Sequence, residues 1–357
     1  MTQPQALPSD AGPHLSVPAT IDEAFDPAWL ERALAPFSGG APILSVEPVE
    51  TIRTMASKAR FTVRFANDPD RVHALCLKAF LGSEEDAAMG GDTTIREASF
   101  YTDIAPHLTM RVPAVPVVVL DRAAHRGLLV MTDLIAEGAT FCSAHEPFTA
   151  EQAAQSIEQI ARLHVGSHLL ADNPWIPARL ATLSTSSSFS PSWVQPLLHD
   201  GRGDGLPART LDADLLFAGI GRLAQRFAGR PETMLHGDCH AGNIYRTADG
   251  PGFTDWQLIQ RGHWAQDVAY HSSAVLPVEV AEREERPLLD HYLDTLARLG
   301  GAVPDRAQAW EDYRAAQIYG FFNWAVTRMV EPSITRVFIE RLGGAVTRHD
   351  SYRLLGL

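Results

Sequence analysis

The run Leu235-His236-Gly237-Asp238-Cys239-His240-Ala241-Gly242-Asn243-Ile244, followed by Phe253-Thr254-Asp255-Trp256, constrains this chain more than any other stretch. Asp238 and Asn243 stand five apart, and Asp255 comes seventeen residues after Asp238. Taken singly, Asp238 and Asn243 also fit plain turn residues, because short polar side chains bond to their own backbone. Taken together they fit a chemistry. Phosphoryl transfer needs one carboxylate to orient the attacking hydroxyl and accept its proton. It also needs a carboxamide and a second carboxylate to hold the Mg²⁺ that neutralises the phosphates. The order predicts Asp238 as the base and Asn243 and Asp255 as the metal ligands. Gly250-Pro251-Gly252 reads as the turn of a hairpin that brings both carboxylates to one metal–phosphate site, where two anions converge only around a cation.

The pattern His-Gly-Asp-x-His-x-Gly-Asn with a later Thr-Asp-Trp resembles the aminoglycoside phosphotransferase family, a branch of the protein-kinase-like fold. Asp255-Trp256-Gln257 and Asp267-Val268-Ala269-Tyr270 are similar to its ecdysteroid kinase-like and choline kinase-like members. The resemblance implies an α+β, two-lobe, protein-kinase-like fold, with a β-rich N-lobe and a mostly helical C-lobe. The corresponding division is a disordered leader at 1–20, a nucleotide-binding N-lobe at 21–132, and a catalytic, acceptor-binding C-lobe at 133–357. The implied cofactors are ATP, with GTP as the alternative, and Mg²⁺; the implied partner is a small molecule bearing a hydroxyl. His236 is expected to brace the loop, and Asp267 to accept backbone N–H bonds from it. His240 is expected to make a structural hydrogen bond, with contact to acceptor or phosphate as the alternative. Trp256 and Gln257 stand in place of the Phe and Gly of the protein-kinase D-F-G.

Upstream, Arg60-Phe61-Thr62-Val63-Arg64-Phe65 alternates polar and apolar as a half-buried strand should, and His73 to Phe80 forms a second strand. Asn67-Asp68-Pro69-Asp70 reads as the turn between them. Lys78 interrupts the apolar run. A lysine there either guards an edge strand or, as the resemblance implies, contacts the α- and β-phosphates. In the second case a helix carboxylate must hold it, and Glu97, on a helix read at Thr93–Tyr101, is the candidate. The resemblance implies a phosphate-covering loop around Met55–Arg60; this stretch contains no glycine, so Ser57, backbone N–H groups and Lys58 or Arg60 are its expected contacts. Strands at Pro113–Val119 and Gly127–Met131 lead to the hinge, where the backbone around Met131, Asp133 and Leu134 is expected to read the purine edge.

Composition narrows the partners. The 357 residues suit two lobes better than one small core. A net charge of −13 with no basic run argues against nucleic acid and anionic membranes. Cys76, Cys142 and Cys239 form neither a disulfide framework nor a zinc pattern, which predicts a reducing, cytoplasmic setting. Met1–Pro18 is Pro-rich and polar, unlike a signal peptide. Asp26-Pro27 reads as an N-cap followed by Pro at the first helical position, with Trp29, Leu30, Ala33 and Leu34 as an apolar stripe.

From Thr149 the period is helical. His164 and His168 are one helical turn apart, but no third ligand is placed near them, so a hydrogen-bonded core histidine is the reading for His164. The Ser-, Pro- and Gly-rich stretch 183–207 reads as a loop or cap. Tyr313, Ile318, Phe321, Phe322 and Trp324 are core by their spacing, with an apolar acceptor pocket as the alternative. The acceptor is expected to be an apolar hydroxylated compound such as a sterol, a macrolide or a hydroxyacyl thioester. The competing reading is a nucleotide-binding pseudo-kinase with a regulatory role; a hydrolase with paired carboxylates would have no use for Lys78, Glu97 and Asn243 together.

Overall fold

The computed structural model describes residues 15–53, 56–81, 84–186 and 188–357, with the backbone alone at 53 and 84–91. The chain divides into two compact units. The first holds Met1–Leu108, Val112–Thr140 and Thr254–Leu258; the second holds Thr109–Arg111, Phe141–Phe253 and Ile259–Leu357. The β-rich first unit and helical second unit give the α+β, protein-kinase-like fold that the motif implied.

In the first unit, helix α1 (Pro27–Ser38) starts as its sequence dictates, with the Asp26 side chain accepting the Trp29 N–H at 2.9 Å. Strands β1 (Ile43–Arg53), β2 (Ser57–Phe65) and β3 (Asp68–Ala79) form a meander. Helix α2 (Glu84–Ser99) follows, then β4 (Val117–Asp121) and β5 (Arg126–Thr132). The antiparallel sheet runs β1-β2-β3-β5-β4. Alternation buries Ala59, Phe61, Val63 and Phe65 against Trp29, Leu30, Ala33 and Leu34 of α1. The predicted turn is shorter than expected, because Asp68 already pairs with Phe65.

The leader shrinks as well. Residues 1–14 and Met55 lie outside the described residues. Val17, however, is buried in the α1–sheet core, and the Trp29 indole donates to the Ser16 carbonyl at 2.9 Å. The first unit also runs past residue 132. Asp133 donates its N–H to the Ala74 carbonyl at 3.0 Å and takes a bond from the Arg60 Nε at 2.9 Å.

In the second unit, α3 (Ala150–Val165) opens with a capping box between Thr149 and Gln152. The stretch expected to be a loop or cap contains helix α4 (Pro191–Leu197), whose Ser190 cap accepts the Trp193 N–H at 3.3 Å. The Ser-Pro pair that made the stretch look irregular is itself a helix start. Next come α5 (Ala213–Phe227), β6 (Thr233–Leu235), β7 (Ile244–Thr247), β8 (Gly250–Phe253) and β9 (Gln260–Gly262). The β7–β8 hairpin turns at Ala248-Asp249, not at Gly250-Pro251-Gly252, which lies in β8 with Pro251 opposite Arg246. Proline survives there because its missing N–H falls outside the ladder.

Helices α6 (Ala265–Val275), α7 (Val278–Arg298), α8 (Arg306–Ala325) and α9 (Pro332–His349) complete the unit. Every residue of α6 is buried, so it is the unit's central helix. Tyr313, Ile318, Phe321, Phe322 and Trp324 on α8 are all buried in the core. No helix among the described residues is long and apolar enough to cross a membrane.

Candidate active site

The first unit gathers Lys78, Glu97 and Asp255. β3 is flanked by β2 and β5, so Lys78 is not an edge-strand guard. Its neighbours Leu77 and Ala79 face the α1 core, and the pleat turns Lys78 toward α2. Gly127 on β5 allows that helix to approach: a Cβ there would lie 2.7 Å from the Thr94 carbonyl oxygen. Glu97, one helical turn beyond Thr94, thus reaches Lys78 at 2.8 Å, and both side chains are buried. The Asp255 carboxylate lies 3.4 Å from the same ammonium and is 33% exposed. Burial alone would depress the lysine pKa, but Asp255 and Glu97 outweigh it and hold Lys78 above its ordinary value.

Asp255 takes a left-handed backbone, with φ 64°. Aspartate is one of the few residues that visits this region readily. The next residue, Trp256, is fully buried and stacks on Phe100 with ring centroids 3.7 Å apart. Its N–H points to the Glu97 carboxylate at 3.4 Å. The indole therefore anchors the turn that presents Asp255 beside the Lys78–Glu97 pair. Ser57 opens β2 opposite Ala79, next to Lys78 in the facing strand. Arg60 is committed to Glu50 and Asp133, both at 2.9 Å.

In the segment after β5, the Asp133 carboxylate is buried and accepts from Arg60 and from the N–H groups of Ile135 and Ala136. Its contribution is structural. Met131 pairs with Cys76 across the sheet. The Leu134 carbonyl accepts from Ala139 at 2.8 Å, while its N–H has no hydrogen-bond partner among the described residues.

The second unit gathers Asp238, Asn243, His236, His240 and Asp267. The Asp238 carboxylate accepts the Tyr270 hydroxyl at 2.9 Å on Oδ1 and the Asn243 Nδ2 at 3.1 Å on Oδ2. Asn243 Nδ2 also donates to the Asp238 carbonyl at 3.0 Å, closing the loop on itself. His240 Nε2 lies 3.5 Å from Oδ2, and the carboxylate is 25% exposed. Burial would raise the Asp238 pKa, but the imidazoles of His240 and His236 and the Tyr270 bond reverse this, holding it at about 2. Asp238 is thus ionised at neutral pH. Burial, with Asp238 beside it, pushes the Tyr270 phenol well above its ordinary value, so it remains a donor.

The loop hangs from α6. Asp267, completely buried, accepts the His236 N–H at 2.7 Å and the Gly237 N–H at 2.9 Å, while His164 Nε2 lies 3.4 Å away. One turn along, Tyr270 holds Asp238, and the His271 Nδ1 meets the Cys239 carbonyl at 2.8 Å. A carbonyl only accepts, so the proton of His271 is on Nδ1. Gly237, with φ 81°, gives its carbonyl to the Tyr319 hydroxyl at 2.8 Å. The His236 Nδ1 accepts the Asp238 N–H at 3.2 Å, and the His240 Nδ1 accepts the Gly242 N–H at 3.1 Å. His164 also meets the Tyr292 hydroxyl at 2.8 Å, the satisfied core histidine that its helical position suggested.

Sequence reasoning missed two contributors. Tyr270 was only part of a pattern, and Trp324 was only core. The Trp324 indole donates to the Tyr270 hydroxyl at 2.6 Å, so the phenol that holds Asp238 is itself held. No local signal marks a contact across 54 residues.

The oxygens suit a hard cation. In the second unit Asn243 spends its Nδ2 on Asp238, which points Oδ1 the other way; in the first, taken by itself, Asp255 presents a part-exposed carboxylate. One or two such oxygens, completed by water and phosphate, are what Mg²⁺ takes from a protein in phosphoryl-transfer sites. Among the described residues there is no cluster of three His, Cys, Asp or Glu side chains that would make a dedicated metal cage.

Comparison with known proteins fits this chemistry. The model of the phosphotransferase enzyme family matches residues 51–310. Among solved structures, a candidate aminoglycoside phosphotransferase from Ralstonia eutropha is 12% identical, with 92% of this chain and 97% of that one covered at a TM-score of 0.50. A choline kinase from Streptococcus pneumoniae is 12% identical over 89% of this chain and 98% of that one, at a TM-score of 0.46. An ethanolamine kinase from Plasmodium vivax is 13% identical over 90% and 86%, at 0.48. At such low identity the likeness to the Ralstonia structure speaks for the fold alone. No curated protein matches the chain. The family model spans well over half of the sequence, including the Asp238 loop and Asp255: the protein belongs to the phosphotransferase enzyme family.

Proposed function

We propose that the protein transfers the γ-phosphoryl group of ATP, with Mg²⁺, to a hydroxyl of a small molecule. The observation that carries this reading is the Asp238 carboxylate. It is part-exposed, held at both oxygens by Tyr270 and Asn243, and kept ionised by its surroundings. A group so placed orients an incoming hydroxyl and accepts its proton as the phosphoryl group transfers.

Other roles follow from the chemistry of each residue. Lys78, fixed by Glu97, is the cation for the nucleotide phosphates, with Ser57 beside it. Asn243 and Asp255 are the proposed ligands for Mg²⁺, which when bound neutralises charge on the phosphates. The backbone around Met131 and Leu134 is the proposed reader of the purine, favoured by the Leu134 N–H, which no group among the described residues takes. The Asp133 side chain belongs to the fold rather than to the base, because Arg60 and two amides occupy it. His236 and His240 set the loop and the ionisation of Asp238, and Asp267 holds the loop's backbone. Backbone readout leaves ATP against GTP to measurement.

The test is ADP release from Mg²⁺–ATP with a panel of hydroxylated compounds, beside Asp238→Asn. Acceptor-dependent ADP that falls by about 10²–10⁴-fold in the variant is expected for loss of a general base. Nucleotide binding without turnover on any compound would favour the regulatory pseudo-kinase. Absence of nucleotide binding would overturn the assignment.

A further inference from the structure

The second unit carries a cavity of about 320 Å³ whose wall the reading above does not use. It lies where the chain passes from α8 to α9 and meets the segment after α4. Its lining includes Arg202, Arg328, Arg336, Asp200, Thr335 and Leu197. Three guanidiniums against one carboxylate, on a chain with net charge −13, run against the protein's overall character.

The three arginines are not equivalent. Arg202 is a built wall: its Nε and Nη2 clasp Asp200 at 2.9–3.2 Å, and its Nη1 donates to the Thr327 carbonyl at 2.8 Å. Its side chain is only 11% exposed. Arg328 lies over the Trp193 ring at 5.1 Å, and Arg336 reaches toward Gly201. Among the described residues neither Arg328 nor Arg336 makes an ion pair, although the charge of Arg336 helps to hold the Asp200 carboxyl below its ordinary value. Both are exposed and line the cavity, and among the described residues no group takes a hydrogen bond from either guanidinium. The first turn of α9, beginning at Pro332, adds the positive end of a long helix dipole.

The cavity is also tied to the catalytic loop within the same unit. Trp324, which holds Tyr270, stacks on Phe338 with centroids 4.1 Å apart. His240 contacts both rings at 5.2 Å. Phe338 follows Arg336 by two residues and Thr335 by one helical turn, and Thr327 follows Trp324 by three. The helix corner that braces Asp238 therefore also forms the cavity wall. Met329 and Val330 of that corner are exposed apolar side chains, 77% and 37% accessible.

We propose that this cavity binds an anionic group, a phosphate monoester or a carboxylate, carried by the hydroxylated acceptor. Planar guanidiniums pair with both kinds of oxyanion through paired N–H donors. Leu197 and Val330 in the lining suit an apolar portion of the same molecule, so the acceptor is an amphiphilic acid with a free hydroxyl. This assignment rests on the phosphotransferase reading above, because it takes Asp238 as the end that receives the hydroxyl.

Two readouts test it. In the first, inorganic phosphate and succinate are titrated separately against the whole protein with Mg²⁺–ADP present, following heat by calorimetry. The comparison is the Arg328→Gln/Arg336→Gln double variant, checked by circular dichroism and thermal unfolding to be folded like the parent. Saturable binding of at least one anion that weakens tenfold or more in the variant is expected, and which anion binds tells phosphate from carboxylate. Equal binding by both proteins, or none by the parent, overturns the site.

In the second, ADP release is measured on matched hydroxylated acids and their neutral methyl esters. A preference for the acid over the ester, lost in the double variant mainly through KM, is expected. Anion binding that depends on the arginines, together with equal turnover of acid and ester, overturns the acceptor role. If no compound turns over, the phosphotransfer reading fails separately, since the calorimetric result still decides whether the arginines bind the anion.

Discussion

Replacing Asp267 with Asn tests what holds the catalytic loop. The native carboxylate divides its work: Oδ2 takes the His236 N–H at 2.7 Å and faces His164 Nε2 at 3.4 Å, while Oδ1 takes the Gly237 N–H at 2.9 Å. An asparagine of the same shape has one oxygen, so its NH₂ must confront a backbone N–H at a fully buried position. The variant loses a charge-assisted bond, about 1.5–3 kcal/mol, and strands a buried donor, about 1–3 kcal/mol. A loss of about 3–5 kcal/mol in urea unfolding is expected. Catalysis should fall with it, because displacing the loop by about 1 Å costs on the order of 10²-fold. The pH dependence carries its own sign. Burial works to raise the Asp267 pKa, but hydrogen bonding and charge from His164 and the backbone bond to Gly237 lower it below its ordinary value. A depressed carboxylate stabilises fully above its unfolded pKa of about 3.9 and loses that contribution as pH falls. The gap between parent and variant should therefore be full at neutral pH and shrink below about pH 4. A variant within about 0.5 kcal/mol of the parent at pH 7, with unchanged kcat, would refute the suspension of the loop from Asp267.

Further predictions concern other parts of the site. Lys78→Met leaves Glu97 and Asp255 without their cation; thermal or urea unfolding should show a loss of about 3–5 kcal/mol, and Mg²⁺–ATP should bind more weakly by titration calorimetry. Unchanged nucleotide affinity would remove Lys78 from the phosphate-binding role. Gly127→Ala places a methyl against the Thr94 carbonyl and pushes α2 off the sheet, so stability should fall by about 1–3 kcal/mol and nucleotide affinity with it. Asp238, held at about 2, contributes its stabilisation fully above about pH 4 and loses it as pH falls toward its folded value. The kcat/KM profile from pH 5 to 8 should carry no acid limb from Asp238; a limb there that moves upward in His240→Gln would contradict the low value.

Much of the candidate site is legible because its residues are close in sequence. Asp238, Asn243 and Asp255 fall in one short stretch, and a lysine inside an apolar strand stands out against its neighbours. What escaped was set by distance or by local backbone. The bond from Trp324 to Tyr270 joins helices that share no motif. The left-handed backbone of Asp255 is created by the anchoring of Trp256 on Phe100, which no spacing announces. The hairpin turn was misplaced because Gly-Pro-Gly is turn-like by composition, whereas the ladder leaves Pro251 at a position that needs no donor. Within 183–207, serine and proline were counted as irregularity although their order, Ser190 before Pro191, is that of a helix start.

Three successive contacts of the loop, at His236–Gly237, Asp238 and Cys239, come from Asp267, Tyr270 and His271, side chains of a single helix buried on every side. The base is thereby referenced to one rigid body instead of to several independent segments. A shift of α6 carries loop and carboxylate along together, so their mutual geometry is insensitive to adjustments elsewhere. Surface segments that make no contact with α6 or the loop are then free to diverge. In such a scaffold, the choice of molecule to be phosphorylated and the machinery for phosphorylating it drift as separate traits.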